Sequence, residues 1–217
     1  MGSYGKREGY ELIDLIETLD AMAVGRIRIS SLEPVTLSDA FIERAAKCES
    51  LCPHFHLSLQ SGSDRTLQRM ARRYDTVMYE AAVRRMLEVW PNVGLTTDII
   101  VGFPGETEED HQETLAFLNR LPFTDLHVFR FSRRANTPAD TMPDQVPGDV
   151  SKRRSRDVEA IARIKREVAI AKRIGQKRTI IVEKHEDDAV YGYTEDYVYT
   201  KVVNAGYDVS IGQVLGC

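Results

Sequence analysis

Gln60, Ser61, Arg72, Asp98, Glu33 and Gly102 are the residues of this chain whose types and spacing could do chemistry together. Gln60 and Ser61 lie in PHFHLSLQSGSDRTLQRMARRY (53–74), which also carries Arg72, and Asp98 and Gly102 lie in TTDIIVGFPGETEEDHQET (96–114). Each run reads as a strand emptying into a small-residue turn and then a helix. Polar groups therefore gather at the carboxyl ends of two strands, where α/β folds hold their ligands. Glu33 stands at the end of a third strand, in RIRISSLEP (26–34). Carboxylates, an amide and a guanidinium on one rim suit a small polar ligand, and Gly102, Pro104 and Gly105 permit close backbone approach. Taken singly, each has a plain alternative: Gln60 a strand-end turn, Arg72 a partner for Asp75, GFPGET a tight turn opening a helix.

The elements that must position them alternate. Apolar residues from Leu12 to Met22 recur at helical spacing, RIRIS (26–30) is a strand, and residues 37–48 suit a helix capped by Ser38. FHLSLQ (55–60) is the next strand. SDRTLQRM follows as a short helix with Ser63 as cap, then a helix over 77–90, a strand over 94–102, a helix over 107–121 opening on Thr107, and a strand over 125–131. Strands separated by helical crossovers imply a parallel sheet. Three prolines then mark an irregular linker, and 149–174 has the composition of one long helix. RTIIVEK, VYGYT, YVYTKVV and DVSIGQVLG follow, with HEDD and NAG as turns, and predict a small antiparallel β-barrel. Alternation puts Tyr197 and Tyr199 on one face and Tyr191 and Tyr193 on another.

A chain of 217 residues with 42% hydrophobic content fits one sizeable domain and a small appendage. No apolar run approaches the roughly 18 residues of a membrane helix, and the start lacks a signal peptide's apolar core, so a cytoplasmic protein is expected. The net charge of −4 hides a basic stretch: from Lys152 to Arg178 eleven Lys and Arg face Asp157, Glu159 and Glu167. Such a stripe attracts phosphates, or is simply a solvated helix face.

The two motif runs together resemble the later half of the radical S-adenosylmethionine (SAM) barrel, and more closely the tRNA methylthiotransferases that modify the adenosine beside the anticodon. SSLEP (30–34) and LCPHFHLSLQSGSD (51–64) are similar to the branch acting on N6-threonylcarbamoyladenosine. The resemblance implies an α/β fold: a partial radical SAM (β/α) barrel over 1–147, a linking helix over 148–177, and an RNA-binding, TRAM-like β domain over 178–217, short by about a strand. GYTEDYVYTKV resembles that domain's characteristic stretch. It also implies that Gln60 and Asp98, with Ser61 beside them, contact the ribose and methionyl end of SAM. Arg72 would pair with the SAM carboxylate, Glu33 would take its amino group or the substrate, and Gly102 would pack against adenine. Lys177, Arg178, Lys184 and Lys201 are the expected tRNA contacts.

In the whole enzyme the resemblance implies a reduced [4Fe-4S] cluster that splits SAM to a radical acting at adenine C2, an auxiliary cluster as sulfur donor, and a second SAM as methyl donor. Such a cluster needs thiolates spaced C-x3-C-x2-C. Cys48 and Cys52 have the first spacing, yet position 55 is Phe55, and Cys217 is terminal. The cluster ligands are thus expected to be absent, the cysteines to be free thiols, and the chain to be an inactive fragment. Of the histidines, His54 and His56 alternate on one strand and are read as packing or bonding the backbone, with no metal site. Two other readings remain open: a radical SAM enzyme of the oxygen-independent coproporphyrinogen oxidase type, and a non-catalytic RNA-binding protein. Oligomeric state is not legible.

Overall fold

A computed structural model describes Tyr4, Gly5, Arg7, residues 9–203 and residues 208–217. The NAG turn expected at 204–206 lies outside the described residues. Four strands, β1 (Ile27–Leu32), β2 (Leu51–Leu57), β3 (Gly94–Val101) and β4 (Asp125–Arg130), form one sheet in the order β1-β2-β3-β4, every pair parallel. The helices fall where the periodicity puts them: α1 (Leu12–Ala21), α2 (Asp39–Ala45), α3 (Asp64–Arg69), α4 (Thr76–Val89), α5 (Glu108–Arg120) and α6 (Gly148–Ala171). Ser38 caps α2 through Phe41 N–H at 3.2 Å, and Thr107 caps α5 in a reciprocal box with Asp110. Ser63 does not cap α3; its hydroxyl donates to Asp110 at 2.7 Å, which ties the start of α3 to α5.

Strand β2 departs from the expected 55–60. It begins at Leu51 and ends at Leu57, and Gln60 is joined only by an isolated bridge to Ile99. Pairing moves from Ile27↔Leu51 to Ile29↔Phe55, so the irregularity absorbs Pro53, which has no N–H to give a ladder. Period-two alternation divides the sheet's faces. Phe55, Leu57, Leu95 and Ile99 are buried with Ile13, Ile42, Tyr79, Val83 and Met86 in the main core, while His56, Thr96 and Asp98 turn to the opposite, polar face.

Helix α6 is more than a connector: it packs on β4 and α5 and puts Val158, Ile161 and Ala162 into the main core. Beyond it, β5 (Thr179–Glu186), β6 (Ala189–Thr194), β7 (Tyr199–Val203) and β8 (Val214–Gly216) make an antiparallel sheet in the order β7-β6-β5-β8 around Ile180, Val182 and Val190. Among the described residues β7 and β8 are its two edges. The predicted division of the tyrosines is not what forms. Tyr193 pairs directly with Tyr199 across β6 and β7, and opposed residues point the same way, so these rings meet at 5.0 Å. Tyr197 sits in the intervening turn with φ +69°, outside any alternation, and stacks on Tyr193 at 4.3 Å.

That tyrosine face docks on the parallel sheet. Tyr197 stacks on His54 at 4.5 Å, and the Arg28 guanidinium lies 4.4 Å from its ring centre. Arg28 also donates to the Thr194 carbonyl at 3.2 Å, and Arg26 to that of Thr179 at 3.0 Å. Gly94 allows close approach there, since a Cβ at that position would collide with the Asp196 carbonyl oxygen.

Candidate functional site

Glu33 follows the end of β1 and Gln60 the end of β2, while Asp98 lies in the middle of β3, and local bonding explains the arrangement. Chain direction after β2 is set from behind by two tyrosines that sequence reading missed. Tyr79 donates to the Leu57 carbonyl at 3.0 Å, and Tyr74 to the carbonyls of Ser58 and Leu59 at 2.7 and 3.1 Å. Burial pushes the Tyr74 hydroxyl up to about 12, so it stays a donor. Gln60 is then held at φ +72°, with its N–H on the Asp98 carbonyl at 2.9 Å and its carbonyl on the Ile100 N–H at 2.9 Å. A non-glycine residue in that region is strained, and such strain clusters at functional sites.

Glu33 and Arg72 come together across 39 positions, with Arg72 Nη1 3.1 Å from Glu33 Oε1 and both side chains partly exposed. Asp75 is not the partner of Arg72, since it caps α4 through Met78 N–H at 2.7 Å. Ser61 is not on the rim. It is 1% exposed, and its hydroxyl is engaged by Thr114 at 3.2 Å and Ser63 N–H at 3.2 Å. Gly102 has φ +76°, and the space a Cβ would fill is taken by Ser151 of α6 at 2.6 Å. Its glycine character thus serves the passage of α6. At Gly105 the guanidinium of Arg69 fills the corresponding space.

Asp98 lies at the centre of a cluster that pattern reading did not assemble. His56 pairs with Thr96 across β2 and β3, and Asp98 with His127 across β3 and β4, so all four side chains share the polar face. His56 Nε2 stands 3.2 Å from Asp98 Oδ2, and His127 Nδ1 stands 3.5 Å from Asp98 Oδ1. His56 Nδ1 and His54 Nε2 both meet the Thr96 hydroxyl, at 3.0 and 3.1 Å. The two histidines therefore bond side chains rather than the backbone, and the expected packing is seen in the stacking of His54 on Tyr197. His127 and His56 hold the Asp98 carboxyl well below the usual range, and Asp98 in turn raises His127. Burial, with Arg28 and His56 beside it, pushes His54 down to about 3, leaving it neutral. Among the described residues His56, Asp98 and His127 are the group whose ligand atoms could hold a metal ion. The cysteines are elsewhere: Cys48 is in the main core with its thiol on the Arg44 carbonyl at 3.7 Å, Cys52 is buried, and burial raises both thiols.

The basic stripe is largely spent within the protein. Arg154 is buried against Glu106 at 3.0 Å, Arg153 bridges to Glu108, Arg166 to Asp125 at 2.8 Å, and Arg173 to Asp196. Lys165 donates to the carbonyls of Asn119 and Leu121. Arg178 is engaged by Glu195 and Gln176. Lys152, Arg156 and Arg163 are exposed, form no ion pair among the described residues and recur at helical spacing on one face. Lys177 is likewise exposed, and Lys184 and Lys201 flank the Tyr191 ring at 5.8 and 5.6 Å.

A match to the radical SAM superfamily spans residues 3–118, covering both motif runs. The chain belongs to the radical SAM superfamily. It is 36% identical over 203 residues to the threonylcarbamoyladenosine tRNA methylthiotransferase MtaB of Thermotoga maritima, a match covering 91% of this chain and 46% of the relative. It is 37% identical to the tRNA-2-methylthio-N(6)-dimethylallyladenosine synthase of Staphylococcus epidermidis, covering 99% and 43%. The MtaB of Bacillus subtilis is 35% identical, covering 99% and 49%. The chain thus spans less than half the length of these relatives. Among solved structures, the radical SAM coproporphyrinogen III oxidase of Escherichia coli superposes with a TM-score of 0.58 at 17% identity, over 88% of this chain and 50% of that one, a likeness of fold.

Proposed function

We propose that this chain is the later half of a tRNA methylthiotransferase, of the branch that acts on N6-threonylcarbamoyladenosine beside the anticodon. The observation that carries the reading is the Glu33–Arg72 pair just beyond β1, in a chain 35–37% identical to such enzymes. Gln60, past the end of β2, bonds through its N–H to the Asp98 carbonyl in mid-β3. The α-amino acid end of SAM is a zwitterion, and a carboxylate beside a guanidinium complements it: Glu33 takes the ammonium and Arg72 the carboxylate. Asp98, ionised and partly open, accepts from ribose hydroxyls, with Gln60 beside it. Bound SAM and a cluster supplied outside this chain's own cysteines would provide the radical and methyl chemistry. The residues here bind and orient. Both kinds of relative match comparably, so the branch rests on SSLEP and LCPHFHLSLQSGSD rather than on overall identity.

The division into a partial barrel over 1–147, a connecting helix over 148–177 and a TRAM-like β domain over 178–217 is part of this proposal, as is tRNA as partner in the cytoplasm. The antiparallel sheet and its lysines support an RNA grip, and no helix among the described residues is long and apolar enough to cross a membrane. Nucleoside mass spectrometry of tRNA from a host lacking its own enzymes, supplied with the intact gene product, tests the reading. A methylthio increment on threonylcarbamoyladenosine is expected. An increment on dimethylallyladenosine instead would move the chain to the other branch, and none at all would remove the activity.

A further inference from the structure

We infer that His56, Asp98 and His127 form a binding site for one divalent transition-metal ion of the zinc class, open to the polar face of the sheet. Three adjacent strands deliver one ligand each, and the register of β2, β3 and β4 makes the convergence a property of the sheet. All three ligand atoms lie within 4.8 Å of one another. His56 Nε2 stands 3.2 Å from Asp98 Oδ2 and His127 Nδ1 3.5 Å from Asp98 Oδ1, so each imidazole already lies at ligand-to-ligand distance from one oxygen of the carboxylate between them. Zinc bonds of about 2.0–2.2 Å to nitrogen and oxygen separate neighbouring ligands by roughly 3.3–3.6 Å. Occupation therefore needs only small side-chain movement.

The surroundings also suit a metal. Thr96 Oγ1 can accept from His56 Nδ1, so that a metal ion displacing the proton Nε2 gives to Asp98 leaves Nε2 as the ligand atom, the role an outer partner of a metal-bound histidine plays. His54 meets the same hydroxyl and holds it in place. The Asp98 and His127 side chains are 27% and 45% exposed, so solvent reaches a fourth position. Two imidazoles and one carboxylate suit zinc, cobalt, nickel or ferrous iron, and not the all-oxygen preference of magnesium or calcium. The site stands apart from Cys48 and Cys217 and needs no thiolate. It goes beyond the proposed function, and it competes with it: a metal on Asp98 takes the carboxylate assigned to ribose, so ion and SAM exclude one another.

The test is titration of the chain, without affinity tag, with Co2+ followed by its visible absorption, and with Zn2+ followed by calorimetry. One equivalent is expected. His127→Ala, at a half-exposed position that keeps the fold, should abolish the Co2+ band, and Thr96→Val should weaken binding roughly 10- to 100-fold, as for loss of an outer partner. Binding below one equivalent, binding unchanged in His127→Ala, or binding abolished by Cys52→Ser would each overturn the site. Neither SAM nor RNA is present in these titrations. Their outcome is therefore independent of whether the methylthiotransferase reading holds.

Discussion

Glu106 and Arg154 meet at 3.0 Å with side chains only 2% and 4% exposed, joining the GFPGET turn to α6 across 48 residues. Glu106 also accepts the Gly102 N–H, and Arg154 donates to the Glu106 carbonyl at 3.1 Å. Burial raises the Glu106 carboxyl, against the lowering pull of Gly102 and Arg154. Removing one partner from a buried pair strands the other charge. Arg154→Met should therefore cost about 3–5 kcal/mol in urea denaturation, and adding Glu106→Gln should recover much of it. A loss below about 1 kcal/mol would show that the pair is dispensable.

Asp110 gives the pH dependence. Burial alone would raise it, but Arg65, the Thr107 N–H and Ser63 together hold it well below the usual carboxylate range. A depressed folded-state pKa contributes stability that is complete above the unfolded value near about 4 and is lost as pH falls through the folded one. Stability of the chain should thus drop on acidification below about pH 4, and Asp110→Asn should be less stable at neutral pH with a flatter acid limb. Parallel acid limbs in both proteins would assign the loss to other groups.

The SAM rim is tested in the intact, cluster-loaded enzyme by equilibrium binding. Asp98→Ala and Arg72→Ala should each weaken SAM by roughly 1–3 kcal/mol, the range for losing a hydrogen bond to a charged group. Ser61→Ala should leave affinity unchanged, because its hydroxyl faces Thr114 and Ser63. Unchanged affinity in both rim variants, with the fold intact, refutes the assignment.

For RNA, the ion pairs redirect the expectation from Arg178 to cations that face solvent. Lys152→Glu, Arg156→Glu and Lys177→Glu should lower tRNA affinity and reduce the salt slope by about 1 for each phosphate no longer neutralised. Arg178→Glu should instead weaken the fold, since it places a carboxylate beside Glu195. Filter binding across a salt series and thermal melting separate the two. Binding indifferent to all three reversals would leave the stripe a solvated helix face.

The order of strands and helices, the parallel sheet and the candidate rim residues at strand ends were legible in the sequence because local periodicity and turn residues carry them. Glu33 does stand just past β1, whereas Asp98 lies in mid-β3 and Arg72 follows α3. Ser61 and Gly102 were placed at the rim on the same grounds, yet face Thr114 and Ser151. What a strand-end residue points at depends on the helix behind it, and that helix can be distant in the chain.

Composition counted Arg153, Arg154, Arg166, Arg173 and Arg178 as a positive stripe, and the fold assigns each a carboxylate from another element. Likewise His54 and His56 looked like an isolated alternation until β3 and β4 brought Thr96, Asp98 and His127 beside them. Sequence by itself determined which elements form and which polar residues stand at their ends, since those follow from neighbours a few positions away. Only tertiary structure decided the partners, because register between strands and packing of α6 on β4 set distances across dozens of residues, and those distances settle which charges are neutralised and which remain free to bind.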